Sequence, residues 1–400
     1  MAYRIRIACL ATLTLGPIWG QELVLPRARV FSSAAPRSDR VAAPAALSGR
    51  EAVVRWYQTQ YLATVPPAEW TGNRSNCDPG ATSEAYAAAT LQRLNSLRIL
   101  AGLNGDLTLS PAWNAQCQAA ALMMSVQRQL SHTPAPGWAC YTDAGAEAAA
   151  HANLALGLEG PAAIDFYFDD PGTGNAAVGH RRWLLYPPTQ RVGVGSVPAV
   201  GGFAANAVWV VGGQGDRPAE PRWVAWPPAG YVPYRLLPAI SKRWSFSMPQ
   251  ASFAGATVSM FRDGVAVPVT LEPQSEGYAD NTLVWLPQGV PVTAPGDDIT
   301  YSIIISNVVG DDGPQTYAYD VTIIDPLRVV PSPVLAARIQ GDALVLSWPG
   351  SFSGYRVQRA DSLSEGRRWD DVPGVPQLVA NSWALSVERG LPRSFYRLSR

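Results

Sequence analysis

Between residues 82 and 185, apolar side chains recur at intervals of three and four positions, which is the spacing of amphipathic helices. The clearest such segment runs from near Thr82 to a stop at Gly102. The next follows Ser110, a residue type that commonly caps helices, and places Pro111 in its first turn. We predict further helices over residues 144–151, from residue 161 and over residues 179–185.

From residue 191 onward, apolar and polar residues alternate in the pattern of half-buried β-strands. The segments RVGVGSV and NAVWVVGG predict the first strands. Because these strands must share a core with the preceding helices, we predict an α+β domain built as an α-β-α sandwich. Beyond a junction rich in proline and tryptophan, short alternating segments predict two small all-β modules of the immunoglobulin or fibronectin III sandwich type.

Residues 1–20 have the pattern of a secretory signal peptide, with Arg4 and Arg6 before a short apolar core and Gly20 at its end. A membrane anchor is the alternative, but the apolar run is shorter than the roughly 20 residues that a spanning helix needs. We therefore expect an exported protein without a transmembrane segment after cleavage. The predicted order is a signal peptide at 1–20, a flexible leader at 21–50, the α+β domain at 51–215, and β modules at 223–325 and 334–400.

The composition is that of a globular protein without a strong charge preference. Apolar residues make up 47% of the chain and charged residues 16%. The 31 basic and 31 acidic residues cancel, so the charge balance argues against nucleic acid and against an anionic membrane surface as partners.

The cysteines suggest one disulfide bond and one free thiol. Cys9 lies in the predicted signal peptide, which leaves Cys77, Cys117 and Cys140. Cys77 and Cys140 lie in turn-like segments, and we predict that they form a disulfide bond. Cys117 lies on the apolar stripe of a predicted helix with Trp113, which favours a buried and inert thiol over a catalytic one.

The histidines are the first candidates for a working site, because imidazole binds metals and transfers protons near neutral pH. The chain has three, His132, His151 and His180, and all lie in the predicted helical region. A hydrogen-bonded position at a helix end is the simpler explanation for any one of them.

The sequence motifs around these histidines resemble those of a known family. In chain order they read LQRLNSLRILAGL, LTLSPAWNAQCQAAALMM, LSHTP, AHANLALG, AAIDFYFDD, VGHRRWLL and VGVGS. Their order and spacing resemble the CAP superfamily of cysteine-rich secretory, antigen 5 and pathogenesis-related proteins, and look closest to its bacterial secreted multidomain members. The resemblance covers about residues 84–213 and implies an α-β-α sandwich.

The resemblance implies a shallow cleft formed by two histidines and two acids, with the histidines at His132 and His180. Two neutral imidazoles from separate elements can hold a divalent cation such as zinc. Ala152 stands where the family has its first acid, so that acid is missing. Asp170, with Asp169 adjacent, matches the second, although solvated acids before a turn are the alternative.

Two further residues are candidates for the same cleft. Asn153 lies near the cleft floor by analogy with the family, although it can also serve as a turn or helix cap. His151 lies beside the altered Ala152 and can compensate for the lost acid, but a loop or helix-end role is the alternative.

The leading functional hypothesis is a secreted, non-enzymatic protein that binds a ligand or a surface. The resemblance implies a lipid, a sterol or a divalent metal as ligand. We expect the β modules to act as spacers or as attachment units for polysaccharide, cell wall or another protein. One alternative is a metal-dependent or acid/base hydrolase that uses His132, His180 and Asp170. The other is a cell-surface adhesion protein with a vestigial cleft. No serine-hydrolase elbow, zinc-protease helix or P-loop motif is present in the sequence.

Overall fold

The computed structural model describes residues 47–310, 313–328, 333–363, 368–388 and 394–399. The predicted signal peptide and residues 21–46 of the predicted leader lie outside these ranges. Leu47 is buried and Arg50 already begins a helix, so the described end of the leader is part of the fold. The chain divides into two compact units, one ending at Ile324 and the other beginning at Asp325. The predicted boundary between residues 215 and 223 lies inside the first unit.

The first unit contains the helices of the described chain. The predicted cap is present: the Ser110 hydroxyl accepts a hydrogen bond from the main-chain N–H of Trp113, and Pro111 opens the helix. Ser83 caps the preceding helix in the same way. The helices are α1 (Arg50–Trp56), α2 (Glu84–Leu100), α3 (Pro111–Gln127), α4 (Asp143–His151), α5 (Gly160–Asp169) and α6 (Gly179–Leu184).

A four-stranded sheet lies between these helices. Its strands are β1 (Thr108–Leu109), β2 (Ala152–Leu156), β3 (Arg191–Val197) and β4 (Ala205–Trp209), in the order β1-β3-β4-β2. Alternate residues of β4 enter different cores: Ala207 packs in the cluster that contains α3 and α4, whereas Val208 packs in the cluster that contains α2 and α5. Helices therefore cover both faces of the sheet.

Helix α3 lies unusually close to β3 because a glycine faces it. A Cβ atom at Gly195 would lie 2.2 Å from the main-chain carbon of Cys117. Gln118 fastens the contact, since its side chain donates to the Ser196 carbonyl at 2.8 Å and accepts from the Ser196 N–H at 3.0 Å. The glycine at this position thus sets the distance between helix and sheet.

The rest of the first unit is built from two further sheets that share one core. The first runs β10-β11-β7-β5 and the second β6-β13-β12-β8-β9. The strands are β5 (Val224–Trp226), β6 (Gly230–Pro233), β7 (Trp244–Met248), β8 (Thr257–Arg262), β9 (Val265–Val267), β10 (Val269–Leu271), β11 (Asn281–Pro287), β12 (Ile299–Gly310) and β13 (Gly313–Ile324).

The segment interpreted from sequence as a junction is part of this core. Trp223 and Trp226 are both buried, and β5 and β6 lie within the segment. The ring of Trp226 packs on that of Phe168 from α5, with 4.7 Å between centroids. Tryptophan side chains bury large apolar areas, so this junction is a packed segment at which the helical part and the sheets join.

The second unit is entirely β-structure within its described residues. One sheet runs β14-β15-β19-β18 and the other β17-β16-β20, around a small core that includes Trp348 and Val357. The strands are β14 (Ala336–Gln340), β15 (Ala343–Pro349), β16 (Arg356–Ala360), β17 (Asp370–Asp371), β18 (Gln377–Val379), β19 (Ser382–Glu388) and β20 (Phe395–Ser399).

The cysteines follow the predicted arrangement. Cys77 and Cys140 form a disulfide bond, which ties the loop before α2 to the loop before α4. Cys117 is a free and fully buried thiol, and burial raises its pKa to about 12. In the described part of the chain, no helix is both long and apolar enough to cross a bilayer.

The close approach of α3 to β3 predicts a steric effect of Gly195→Ala. The added methyl group must displace the α3 backbone, so we expect the free energy of unfolding to fall by at least about 2 kcal/mol in urea denaturation. Gly137→Ala is the matched control, because its Cβ would meet nothing within 4 Å. Equal stability of the two variants would contradict this account of the contact.

Candidate functional site

The buried carboxylate of Asp170 organises the segment that carries His180. Asp170 follows α5 in a left-handed conformation, with φ 55°, and is fully buried. Its Oδ2 atom accepts hydrogen bonds from the main-chain N–H groups of His180 at 2.9 Å and Arg181 at 3.3 Å. Its Oδ1 atom accepts from Nδ1 of the His180 ring at 2.8 Å. One carboxylate thus positions both the start of α6 and the imidazole.

This arrangement has a local cause in the sequence. Val178 occupies the position before α6 and provides no side-chain cap, so the first N–H groups of the helix need another acceptor. The turn that begins at Asp170 brings its carboxylate to them. A negative charge at a helix N-terminus is also favoured by the helix dipole.

The other two histidines are held by main-chain carbonyls. Nδ1 of His132 donates to the Ala149 carbonyl at 2.7 Å, and Nδ1 of His151 donates to the Glu147 carbonyl at 2.8 Å. The His151 ring also stacks on Trp209, with 4.9 Å between centroids and 8° between planes. Both rings are therefore fixed in place without a ligand.

Asparagine side chains complete the polar part of the site. Asn153 is almost fully buried, and its Nδ2 donates to the His180 carbonyl at 3.0 Å, which links β2 to α6. Asn175 lies in the short helical turn Thr173–Asn175, and its Nδ2 donates to the Pro171 carbonyl at 2.7 Å.

These side chains line a cleft of about 430 Å³. His132, His151, His180 and Asn153 all contribute to it, so the structure brings together these four predicted residues. No Asp, Glu, Lys or Arg is among the described residues that line it. The lining also includes Asn175, Trp183, Tyr278 and the small residues Ala152, Gly174, Ala177 and Gly179.

The two predicted acids have different positions. Asp170 does not line the cleft but lies behind His180, where it orients the ring. Asp169, which we expected in the cleft, lies elsewhere: its carboxylate accepts hydrogen bonds from the main-chain N–H groups of Ile240 at 2.8 Å and Ser241 at 2.7 Å. The two neighbours separate because the left-handed turn at Asp170 sends their side chains in different directions.

Sequence reasoning missed Tyr278. It lies in the β10–β11 loop, close to Gly179, where a Cβ atom would lie 2.9 Å from Cδ1 of the Tyr278 ring. The Arg182 guanidinium lies over this ring, 5.4 Å from its centroid. Since the tyrosine is distant in sequence and belongs to the sheet region, no local pattern indicated it.

Arg181 and Arg182 link α6 to the sheet region through hydrogen bonds. Both are buried, and burial lowers the pKa of each to about 10. Arg181 donates to the carbonyls of Phe168 and Arg243, and Arg182 to those of Ser275 and Asp280. The hydrogen bonds of both guanidinium groups thus go mainly to main-chain carbonyl oxygens.

The site does not fit a zinc ion held by a full set of protein ligands. His132 and His180 line the cleft, but the Ala152 side chain offers no donor atom, and Asp170 is engaged by three N–H groups. Within the described ranges, no three His, Cys, Asp or Glu side chains are grouped so that they can hold a metal. Catalytic zinc sites in proteins use three protein ligands and structural sites four.

One family model matches the part of the chain that carries the three histidines. Residues 91–212 match the model of CAP, the cysteine-rich secretory protein family. The matched segment begins within α2 and ends just beyond β4, so it includes His132, His151 and His180. This part of the chain is therefore a CAP domain, as its motifs predicted.

The other comparisons identify no protein from which a function can be inferred. No curated protein matches the chain. One solved structure, pullulanase type I from Bacillus subtilis str. 168 complexed with maltose, is 14% identical over 46% of this chain, with a TM-score of 0.22. The match spans 23% of the pullulanase chain. Similarity at this level does not indicate a shared fold.

The role of Asp170 predicts the effect of Asp170→Asn. A carboxamide replaces an acceptor by an NH2 group that faces N–H donors, so we expect the free energy of unfolding to fall by about 2–4 kcal/mol in urea denaturation. Asp263→Asn is the control, because its side chain is 84% exposed, and its effect should stay within about 0.5 kcal/mol. A near-neutral Asp170→Asn would contradict the proposed organisation of α6.

Proposed function

We propose that the protein is a secreted CAP protein that binds a small organic ligand in its histidine cleft without altering it. One observation carries the proposal: three histidines line a cleft of about 430 Å³, and Nδ1 of each is held by a hydrogen bond to the protein. Small-molecule sites are typically about 300–1,000 Å³ in volume and have a few convergent polar groups.

Pre-formed polar groups favour binding over a vestigial cleft. A binding site loses less free energy to ordering when its side chains are already fixed. Asp170 holds His180, and Trp209 holds His151, by contacts that need no ligand. These contacts support a binding protein rather than an adhesion protein whose cleft has lost its role.

Secretion is supported by two features. The disulfide between Cys77 and Cys140 suits an oxidising compartment, and residues 1–20 have the pattern of a signal peptide. The likeness of the motifs to bacterial multidomain members of the family supports a bacterial secreted protein.

The β-rich parts of the chain have different proposed roles. The loop between β10 and β11 supplies Gly277 and Tyr278 to the cleft, so we assign the region between residues 223 and 325 to ligand binding as well as to support. The unit from Asp325 onward is proposed to be an immunoglobulin-like or fibronectin III-like module for attachment to cell wall or polysaccharide.

A resident metal is not part of this proposal, because the ligand set around His132 and His180 is incomplete. Two imidazoles can still capture zinc weakly when the ion is in excess. Zinc is therefore one of the probes in the experiment below.

The binding proposal is tested by titrating the full chain with a sterol, a fatty acid, zinc and neutral saccharides, followed by calorimetry. We expect at least one organic probe to bind, and we expect His132→Ala and His180→Ala each to weaken it by about tenfold or more, since each removes a polar contact. Phe203→Ala is the control, because Phe203 does not line the cleft. Failure of every organic probe, or binding unaffected by both histidine variants, would contradict the proposal.

A hydrolase is the second candidate, because the Asp170 and His180 pair has the arrangement of an oriented general base. No Ser, Thr or Cys is among the described residues that line the cleft, so water would be the nucleophile. His180 would take a proton from that water through Nε2, and Asp170 would stabilise the resulting imidazolium.

Turnover of ester and peptide substrates distinguishes this candidate from simple binding. If it is correct, His180→Ala should lower kcat by about 100-fold or more, because proton transfer would lose its base. The Phe203→Ala control should retain full activity. Turnover that survives His180→Ala would rule out this mechanism.

A further inference from the structure

The hydrogen bonds of the cleft histidines determine what a ligand meets there. A carbonyl oxygen only accepts, so Nδ1 of His132 and of His151 must carry the proton. His180 likewise donates from Nδ1 to the Asp170 carboxylate. In the neutral imidazole the other nitrogen, Nε2, is then an acceptor. No described residue donates a hydrogen bond to any of these Nε2 atoms.

The cleft asparagines have the same polarity. Asn153 and Asn175 each use Nδ2 to donate to a main-chain carbonyl. Each therefore has Oδ1 left as an acceptor, and no described residue donates to it. The cleft-lining side chains of His132, His151, His180, Asn153 and Asn175 thus each carry an acceptor atom that no described residue pairs.

This polarity selects a ligand that donates hydrogen bonds. A sterol or an alkyl chain would cover these acceptors and leave them unpaired, at a cost for each. A carboxylate or phosphate would bring further acceptors against them. Apolar and anionic ligands are therefore disfavoured by the same set of atoms.

Charge distinguishes the two remaining ligand classes, cations and neutral molecules with hydroxyl groups. A cation would find no Asp or Glu among the described residues that line the cleft. The guanidinium of Arg182, which lies 5.4 Å from the centroid of the cleft-lining Tyr278 ring, would repel it. A neutral ligand with several hydroxyl donors satisfies the acceptors without either penalty.

Aromatic rings complete the recognition surface. Trp183 and Tyr278 both line the cleft, and Tyr278 is 40% exposed. The face of an aromatic ring carries negative charge density, which attracts the weakly positive C–H groups of a sugar ring. Nitrogen and amide-oxygen acceptors beside a partly exposed aromatic ring form a combination that suits a saccharide.

We propose that the cleft binds a neutral saccharide, whose hydroxyl groups donate to the histidine Nε2 and asparagine Oδ1 atoms. This inference rests on the proposed function, since it names the ligand class of the same cleft. Tyr278 is a ligand-contacting residue in this proposal, and it reaches the cleft from the β10–β11 loop.

The position of Tyr278 is fixed by the surrounding structure. Arg182 holds the loop by donating to the carbonyls of Ser275 at 2.9 Å and Asp280 at 2.7 Å. Arg243 holds the beginning of the loop through an ion pair with Glu272 at 2.7 Å. The absence of a side chain at Gly179 leaves room for the ring. The loop thus presents Tyr278 in a defined place.

Ring-matched sugars test the ligand class on the full chain. The probes are glucose and galactose, their uronic acids, their 2-amino derivatives, and N-acetylglucosamine and xylose with their β-1,4-linked tetramers. Saturation-transfer NMR identifies the sugars that bind, and calorimetry measures their affinity. We expect a neutral sugar to bind at least about tenfold more tightly than its carboxylate or ammonium counterpart, as the cost of unpaired or like charges implies.

Tyr278→Ala tests the role of the loop and should weaken sugar binding by about tenfold, while Tyr278→Phe keeps the ring and most of the affinity. Phe203→Ala is a matched control: Phe203 is 46% exposed and lies under Arg128 at 5.3 Å, but outside the cleft. It should bind as the wild type does. Gly179→Ala, which crowds the ring without removing it, should also weaken binding.

The outcomes separate this inference from the proposed function. Absence of binding by every neutral sugar overturns the inference, as does tighter binding of a uronic acid or an amino sugar. A sterol that binds in their place, and that is lost in His132→Ala, leaves the proposed function intact. Wild-type sugar affinity in Tyr278→Ala overturns the assignment of this residue.

Discussion

A single buried carboxylate determines much of this site. Asp170 accepts hydrogen bonds from two main-chain N–H groups and from the His180 ring, and no solvent reaches it. Removing a charged group from water costs several kcal/mol unless its oxygens are hydrogen-bonded. The groups that donate to this carboxylate must therefore keep their positions. The start of α6 and the orientation of His180 are consequences of one requirement. The histidine cleft is therefore organised by a carboxylate that is not itself among the described residues that line it.

The second constraint is the continuity of the core. Tryptophans from the segment after residue 215 pack on α5, and buried guanidinium groups of Arg181 and Arg182 donate to carbonyls of the sheet region. These groups remain charged near neutral pH because burial lowers their pKa only to about 10. A buried charge must keep its hydrogen bonds. The helical part and the sheets of the first unit are thus joined by contacts whose loss would cost free energy of folding.

Local patterns in the sequence predicted most elements of the helical part of the fold. Ser110 with Pro111 located α3, and the alternation in RVGVGSV located β3 at its observed bounds. Turn-like surroundings identified Cys77 and Cys140 as partners. Features that depend on distant contacts were missed or misplaced. β2 was not predicted because its short buried run shows no alternation of apolar and polar residues. Asp169 was predicted in the cleft because it is adjacent to Asp170, but its carboxylate accepts hydrogen bonds from Ile240 and Ser241 instead. Tyr278 was missed because no local pattern in the sequence indicates it. The roles of the predicted cleft residues stay predictions.

The position of Tyr278 has a consequence for how such proteins can evolve. Exchange of whole domains between genes succeeds when each domain carries its own function across the boundary. Here a break near residue 215 would separate the histidines from the tyrosine that lies beside them, and would leave the arginines of α6 without their acceptors. The CAP domain and the two sheets that follow it are therefore expected to be inherited as one piece, with shuffling confined to the unit that begins at Asp325.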